Sequence, residues 1–317
     1  MKIAFLDFET LGNDVTTDAF AGLGELIEYA NTAPDEVAKR LRGVSVVVVN
    51  KIRLNAQNLA DATDLRLICL AATGYDNVDL DFCRAHGIAV CNVVGYSTQS
   101  VAQLTVTMAL SLITHLPAYH EYVRSGAYTK SGVANRLIPQ YHEIFGKTWG
   151  IVGYGNIGRQ VACVARALGC RVLAFKRTPT DEVDCVDLER LCRESDVISI
   201  HTPLNDSTRN LIDAAHIKMM KRDAIVINVA RGAVTDEAAL AEAIREGRLG
   251  GLGVDVFSRE PFDADHPFAT LSECENVCLT PHMAWGAYET RVRLMEEMAE
   301  NLRSFLRGET RNRVDLS

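Results

Sequence analysis

The sequence predicts an α/β chain of two doubly wound parallel sheets, with one domain inserted into the other. Three observations carry this. Short aliphatic and β-branched runs alternate with helical segments over residues 2–98, and the alternation restarts at 148 and runs to about 280. Strands that alternate with helices form a parallel sheet covered on both faces. Two long stretches, 99–115 and 287–306, contain neither Gly nor Pro and flank the second series. The 317 residues exceed one typical core and suit two domains. The expected partition joins 1–98 with 287–317 and leaves 99–286 as the inserted domain.

Each element follows from local pattern. Residues 2–8 read as an apolar strand, 25–29 as a weaker one, and 44–49 as a β-branched run typical of a buried parallel strand. Further strands fall at 65–71 and 88–93. Ala33-Pro34-Asp35-Glu36 opens a helix, with proline early and acids in the first turn, and Gly43 closes it. Ser97-Thr98-Gln99 opens the first long helix, which runs to about His115 with Pro117 beyond it. Residues 124–146 are polar and read as a surface loop. The second series holds strands at 148–153, 171–175, 197–201, 224–229, 251–257 and 277–280. Helices fill the intervals, ending at Gly169, spanning 187–194 and 215–221, and spanning 236–246, where Thr235 is the expected cap and Gly247 the stop. The second long helix, 287–306, is expected to return to the first domain.

Composition excludes several function classes. A net charge of −8 argues against a nucleic-acid surface, which needs clustered Lys and Arg. No apolar run reaches membrane-spanning length, and Met1-Lys2-Ile3-Ala4-Phe5-Leu6 runs into Asp7 without a signal-peptide pattern. A cytoplasmic protein is the expectation. The nine cysteines form no C-x-x-C and read as free, mostly buried thiols. Cys274 and Cys278 lack the partners of a zinc set, so no metal is expected.

The chemistry gathers at strand ends. Gly153-Tyr154-Gly155-Asn156-Ile157-Gly158 fits G-x-G-x-x-G between a strand and a helix. The first glycine permits a tight turn, the second lets backbone approach a pyrophosphate, and the third lets helix pack on strand. The helix start then offers N–H groups and a positive dipole end. Alone this pattern also arises in ordinary surface turns. Three segments beyond it raise its weight: Asn228-Val229-Ala230-Arg231-Gly232, Asp255-Val256-Phe257-Ser258-Arg259-Glu260-Pro261 and Thr280-Pro281-His282-Met283-Ala284-Trp285. A carbonyl reduction needs a proton donor titrating near neutrality, which suits His282. A carboxylate beside it favours the charged ring and fixes its tautomer, which suits Glu260. A carboxylate substrate needs a planar bidentate cation, which suits Arg231. His86, His115, His120, His142, His216 and His266 show no partner pattern and read as structural or surface residues.

These motifs, in this order, resemble the D-2-hydroxyacid dehydrogenase family, and the likeness runs from Thr73-Gly74-Tyr75-Asp76-Asn77-Val78-Asp79 to the His282 motif. The resemblance implies a Rossmann dinucleotide-binding domain inserted into a discontinuous flavodoxin-like substrate domain. It implies that Arg231 binds the substrate, that His282 is the acid/base and that Glu260 is its partner. Ala72, Thr73 and Gly74 would hold the substrate carboxylate. Thr105, Tyr154 to Ile157, His201, Thr202, Pro203 and Ala230 would line the dinucleotide, and Asp255 would approach the nicotinamide carboxamide. Family members are usually dimers, so a homodimer is expected. Asn50-Lys51, the segment from Gly95 to Gln103 and His282-Met283-Ala284-Trp285 resemble the glycerate dehydrogenase (hydroxypyruvate reductase) branch. Hydroxypyruvate/D-glycerate is therefore the first substrate expectation and glyoxylate the second, with Lys51 and Trp285 as candidate substrate contacts.

One position departs from the NAD pattern. An acid about 20 residues past the glycines holds the ribose 2′-OH in NAD-using members, whereas this chain has Lys176-Arg177 there. A Lys-Arg pair attracts a 2′-phosphate, so the cofactor is NAD(H) or NADP(H) with a lean to NADP(H). A solvated pair at a strand end is the plainer alternative. Two rival readings share the fold plan. A dinucleotide-sensing co-repressor keeps similar residues, but this chain lacks a basic segment. Relatives of S-adenosylhomocysteine hydrolase or alanine dehydrogenase lack the Arg–Glu–His order.

Overall fold

Val46–Val49 is a run of four valines, every one buried, and it lies inside a sheet whose neighbours on both sides run parallel to it. Strands of this kind are covered on both faces, which is why they read as unbroken apolar runs. The computed structural model describes residues 1–316. Its chain divides into one unit made of Met1–Ser97 with the residues from Gly286 onward, and a second unit, Thr98–Trp285.

In chain order the first unit contributes β1 (Lys2–Phe5), β2 (Glu25–Glu28), α1 (Val37–Arg40), β3 (Val46–Val49), α2 (Ala56–Leu59), β4 (Leu67–Leu70), α3 (Leu80–Ala85) and β5 (Ala89–Cys91). The second contributes α4 (Thr98–Thr114), α5 (Leu116–Arg124), α6 (Ala127–Ser131), β6 (Thr148–Val152), α7 (Asn156–Ala167), β7 (Arg171–Phe175), β8 (Asp184–Cys185), α8 (Leu188–Glu194), β9 (Val197–Ile200), α9 (Ala214–Met219), β10 (Ile225–Asn228), α10 (Glu237–Arg245), β11 (Gly251–Val254) and β12 (Val277–Leu279). α11 (Tyr288–Leu306) belongs to the first unit.

The first sheet has the order β2-β1-β3-β4-β5 and the second β12-β11-β10-β9-β6-β7-β8, and every pairing is parallel. These are the two doubly wound orders, flavodoxin-like and Rossmann. Winding reverses between β1 and β3 in one and between β6 and β9 in the other. The pleat sends alternate residues to opposite faces. On β10, Val226 joins a cluster with Leu191, Ile217, Leu240 and Ile244, while Ile225 and Ile227 join Met108, Leu112, Val161 and Ala165 on the other side. In the first unit Ala4, Val47, Val49, Ile68 and Leu70 pack with Val37, Leu41 and Leu59.

Local rules set the boundaries, and several differ from the sequence-based expectation, among them a helix, α6, inside the stretch 124–146 expected as loop. β1 stops at Phe5 and a 3₁₀ turn, Phe8–Leu11, follows where strand was expected to reach residue 8. The helix expected to end before Pro117 turns by 63° at His115, which has φ +51°, and resumes as α5 with Pro117 in its first turn. A first-turn proline lacks only an N–H that the helix would leave unpaired. The cap of α10 is Asp236, whose carboxylate accepts from Ala239 N at 3.0 Å. Thr235 instead bonds Gly232 O through its hydroxyl. The short strand β8 carries no readable run. Among the described residues no single helix is long and apolar enough to cross a membrane. Of the nine thiols, all free, Cys163 is exposed, and Cys185, Cys274 and Cys278 are half-buried.

Candidate active site

Three neighbouring strands, β10, β11 and β12, end in the three segments that the sequence singled out. After β10, buried Asn228 ties its own turn: its Nδ2 donates to Arg231 O and its Oδ1 accepts from Ala230 N, both at 3.0 Å. Arg231 leaves this turn half-buried, with Nη1 donating to Ala230 O at 2.8 Å. The next residue must be glycine. A Cβ on Gly232 would lie 2.1 Å from Phe257 C and Ser258 N. The Arg231 turn therefore presses directly on the backbone of the β11 loop.

After β11, Asp255 is fully buried. Its carboxylate accepts from Thr280 Oγ1 (2.5 Å), Met283 N (2.8 Å) and Ala284 N (2.9 Å). Burial pushes its pKa up, and those three donors and nearby His282 pull it back. Both oxygens are thus engaged by the turn that carries His282. The resemblance implied an approach to the cofactor; the geometry gives Asp255 the task of holding that turn. The clamp has strain to hold, because His282 sits at φ +52°, a region costing a non-glycine residue about 1–2 kcal/mol.

His282 and Glu260 then meet. His282 Nδ1 lies 2.6 Å from Glu260 Oε2, and Glu260 Oε1 accepts from Phe257 N at 2.9 Å. Both side chains are partly buried. The carboxylate fixes the ring's tautomer through Nδ1. A half-buried imidazole backed by a carboxylate, with a guanidinium on the adjoining turn, is an arrangement that can move a proton beside a carboxylate ligand.

The glycine turn lies at the switch point of the same sheet. Gly153 has φ +98°, and a Cβ there would lie 2.7 Å from Thr202 N and 2.8 Å from His201 C. Gly155 is the N-cap of α7, which no side chain caps. A Cβ at Gly155 meets no protein atom within 4 Å. The space beside it belongs to no part of the protein, and uncapped N–H groups face a position where backbone can be approached closely. These residues fit a dinucleotide pyrophosphate. Behind them His201 Nε2 bonds Ser199 Oγ at 2.9 Å, which also receives Trp149 Nε1. Burial pushes the His201 pKa down to about 3, and its Nδ1 has no protein partner. Tyr154 is buried against α7, and Asn156 and Ile157 start that helix. Pro203 O accepts from Thr208 Oγ1. Lys176 and Arg177 follow β7, the former half-buried and the latter exposed. Thr105, expected to line the dinucleotide, is fully buried with its hydroxyl on Val101 O.

In the first unit, Lys51 follows β3 and Ala72-Thr73-Gly74 follows the adjacent β4. Thr73 Oγ1 donates to Val93 O, and Asn92 Nδ2 donates to Thr73 O, both at 2.7 Å. Lys51 is exposed but its backbone is pinned. Buried Asp7 accepts from the N–H groups of Asn50 (2.9 Å), Lys51 (2.6 Å) and Ile52 (3.2 Å), while Asn77 Nδ2 donates to Ile52 O at 2.9 Å. Trp285 packs half-buried against the α4–α7 side of the second unit's own core.

Sequence reasoning missed Asp7, Asn77, Asn228 and a buried pair, Glu237 and His266, joined through His266 Nε2 at 3.2 Å. Asn228 was within reach, since a buried strand that ends in Asn before a turn invites a side chain-to-backbone staple.

Comparison with known proteins agrees with this geometry. The family described as "D-isomer specific 2-hydroxyacid dehydrogenase, NAD binding domain" matches residues 106–284. A glycerate dehydrogenase of Methylorubrum extorquens is 39% identical over 99% of both chains. A hydroxypyruvate reductase of Blautia hydrogenotrophica is 33% identical over 99% of this chain and 100% of its own. Among solved structures, an acyclic imino acid reductase in complex with NADPH and D-Arg superposes with a TM-score of 0.88 at 27% identity, covering 99% of this chain and 100% of that one.

Proposed function

The chain belongs to the D-isomer-specific 2-hydroxyacid dehydrogenase family, and from that premise we propose its substrate, its preferred cofactor and the task of each residue. It is an oxidoreductase that interconverts small 2-oxo and 2-hydroxy acids with a nicotinamide cofactor. The substrate we assign is hydroxypyruvate, reduced to D-glycerate, with glyoxylate second. The names of the two relatives support that choice.

One observation carries the chemistry: the 2.6 Å contact of His282 Nδ1 with Glu260 Oε2 on a loop adjoining the Arg231 turn. The bound nicotinamide supplies hydride to C2 of the oxo acid. His282 hands its Nε2 proton to the keto oxygen, completing the hydroxyl, and takes it back in the reverse direction. Glu260 holds the ring's tautomer and stabilises its charged form. Arg231 binds the carboxylate bidentately. In the first unit we assign the backbone of Ala72, Thr73 and Gly74, with Lys51, to substrate binding. Gly153, Gly155 and Gly158 hold the pyrophosphate, with Tyr154, Asn156, Ile157, His201, Thr202, Pro203 and Ala230 around it. Lys176 and Arg177 take a ribose 2′-phosphate, making NADPH the preferred reductant.

The protein is assigned to the cytoplasm as a homodimer. Support for the dimer comes from residues 116–145, where Leu116, Leu137, Ile138 and Phe145 are each more than 60% exposed. Large apolar side chains left exposed in one stretch of chain are the kind of surface that an interface covers.

Oxidation of NADPH and NADH with a panel of 2-oxo acids tests the reading. Hydroxypyruvate with NADPH is expected to turn over fastest. No turnover of any acid would favour the sensing protein instead, and a large NADH preference would remove the role given to Lys176 and Arg177.

A further inference from the structure

Buried Glu237 and His266 form a polar group with exposed Ser258, outside the residues assigned above. Glu237 stands in the first turn of α10 and is 8% exposed, as is His266. Three donors converge on its carboxylate. Ser258 N donates to Oε1 at 2.9 Å, Ser258 Oγ donates to Oε2, and His266 Nε2 approaches Oε2 at 3.2 Å. His266 Nδ1 accepts from Phe268 N at 3.2 Å, so Nε2 carries the proton that goes to Glu237. Aromatic rings enclose the imidazole, with Phe262, Phe268 and Phe257 at centroid distances of 4.8, 5.2 and 5.9 Å. A buried carboxylate is costly unless fully hydrogen-bonded, and this one is supplied on every side.

The residue types match a hydrolytic triad, but the order of contacts does not. The serine hydroxyl donates to the carboxylate, where a nucleophile would donate to the imidazole. What the group does control is one peptide. The Phe257–Ser258 peptide offers its N–H to Glu237. Its other side meets Gly232, where a Cβ would come within 2.1 Å. The preceding N–H, of Phe257, goes to Glu260 Oε1. Two successive amides are therefore taken by two carboxylates, one buried and structural, the other facing His282.

We propose that Glu237 is a positioning residue for the reaction: through Ser258 it fixes the Phe257–Ser258 peptide, against which the Arg231 turn rests and next to the amide that aims Glu260 at His282. His266 completes the device by fixing the Glu237 carboxylate. This rests on the acid/base reading of His282 and Glu260. The charged or titratable groups around His282 in its own unit are Glu260 on Nδ1, Asp255 beneath its turn and Arg231 on the adjoining turn. Around Glu237 the titratable neighbour is His266. On the outer side of the loop Arg259 pairs with Asp263.

A mutant cycle tests it. Glu237→Gln keeps the shape but has one acceptor oxygen, so it cannot serve Ser258 N on one side and Ser258 Oγ with His266 Nε2 on the other. Small displacements in a reacting pair cost up to about 100-fold, so E237Q is expected to lower kcat roughly 10- to 100-fold with KM for the cofactor unchanged. E260Q alone lowers kcat at least as much, and E237Q/E260Q loses no more than E260Q. Leu240→Ala, a core change on the same helix, lowers thermal stability and leaves kcat in place. Additive losses, or an unchanged kcat in E237Q, would overturn the proposal. If E237Q does not accumulate, His266→Gln and Ser258→Ala enter the same cycle with the same expectations. An E260Q enzyme with normal kcat and pH profile sinks the acid/base reading itself, which separates that failure from this one.

Discussion

Backbone N–H groups gather at the switch point of each sheet, after β3 in the first unit and at the start of α7 in the second. In the first unit a carboxylate of the chain itself occupies them: Asp7 accepts from Asn50, Lys51 and Ile52. In the second, β6 borders the reversal from the other side, Gly153 follows it, and Gly155 leaves the helix start without a side-chain cap. The same winding thus yields opposite devices. Successive amides that face one point make an anion site. An internal carboxylate turns such a site into a brace, and glycine leaves it for an external phosphate. The braced loop then presents Lys51, and the open one receives a dinucleotide.

The largest effect that sharpens this contrast is expected at Asp7. Asp7→Ala leaves three N–H groups without their acceptor in a buried place, and such losses amount to about 3–5 kcal/mol. Guanidinium unfolding of the intact chain, with hydrogen exchange at residues 50–52, measures it. A loss under about 1 kcal/mol would show that Asp7 is no brace. A pH signature accompanies the change. Burial raises the folded-state pKa of Asp7 despite its backbone donors and Lys51. Between its ordinary value and the raised one, the folded chain keeps a proton that the unfolded chain has lost. The Asp7 contribution to stability therefore declines as pH rises through that window, and D7A removes this slope.

Gly155→Ala probes the open counterpart. Because a Cβ there meets nothing within 4 Å, stability is expected to change by less than about 0.5 kcal/mol. The methyl enters the space assigned to the pyrophosphate, and overpacking of about 1–3 kcal/mol corresponds to roughly a 10- to 100-fold weaker Kd for NADPH. Fluorescence titration and thermal unfolding read the two quantities. A destabilised protein with unchanged affinity would mean that Gly155 serves the fold and not the ligand.

The contrast also explains which parts of the molecule were legible beforehand. Strands such as Val46–Val49 and Ile225–Asn228 are buried on both faces, so their positions stand out as apolar runs. His282, Glu260 and Arg231 were readable because each lies a few residues beyond such a run, in a segment that must turn. Asp7 was not, because its partners lie 43 to 45 residues away and nothing in Phe5-Leu6-Asp7-Phe8 distinguishes a brace from a solvated acid. Glu237 and His266, 29 residues apart, meet only once α10 and the loop after β11 have packed. Thr235 and Asp236 are both competent caps, and backbone direction alone chose between them. Thr105 was placed on the cofactor by resemblance, and its hydroxyl is buried and bonded one helical turn back, on Val101 O.

The smallest expected effect concerns the 2′-phosphate contact that we assign to Lys176 and Arg177. Lys176 and Arg177 follow β7, the strand next to the glycine turn's β6, at the place where an acid would read a ribose hydroxyl. Neither residue is buried, so each charge works in high dielectric and is worth little by itself. Lys176→Glu is expected to weaken NADPH about tenfold by like-charge repulsion of the 2′-phosphate and to strengthen NADH by less. Added salt should shrink the difference, because exposed charges are screened within about 8–10 Å. Gly155→Ala, by contrast, works through a steric overlap that salt does not touch. Measuring both variants at two ionic strengths separates the two kinds of phosphate recognition: a salt-independent K176E, or a salt-sensitive G155A, would break the distinction between a cradle made of backbone and a selector made of side-chain charge.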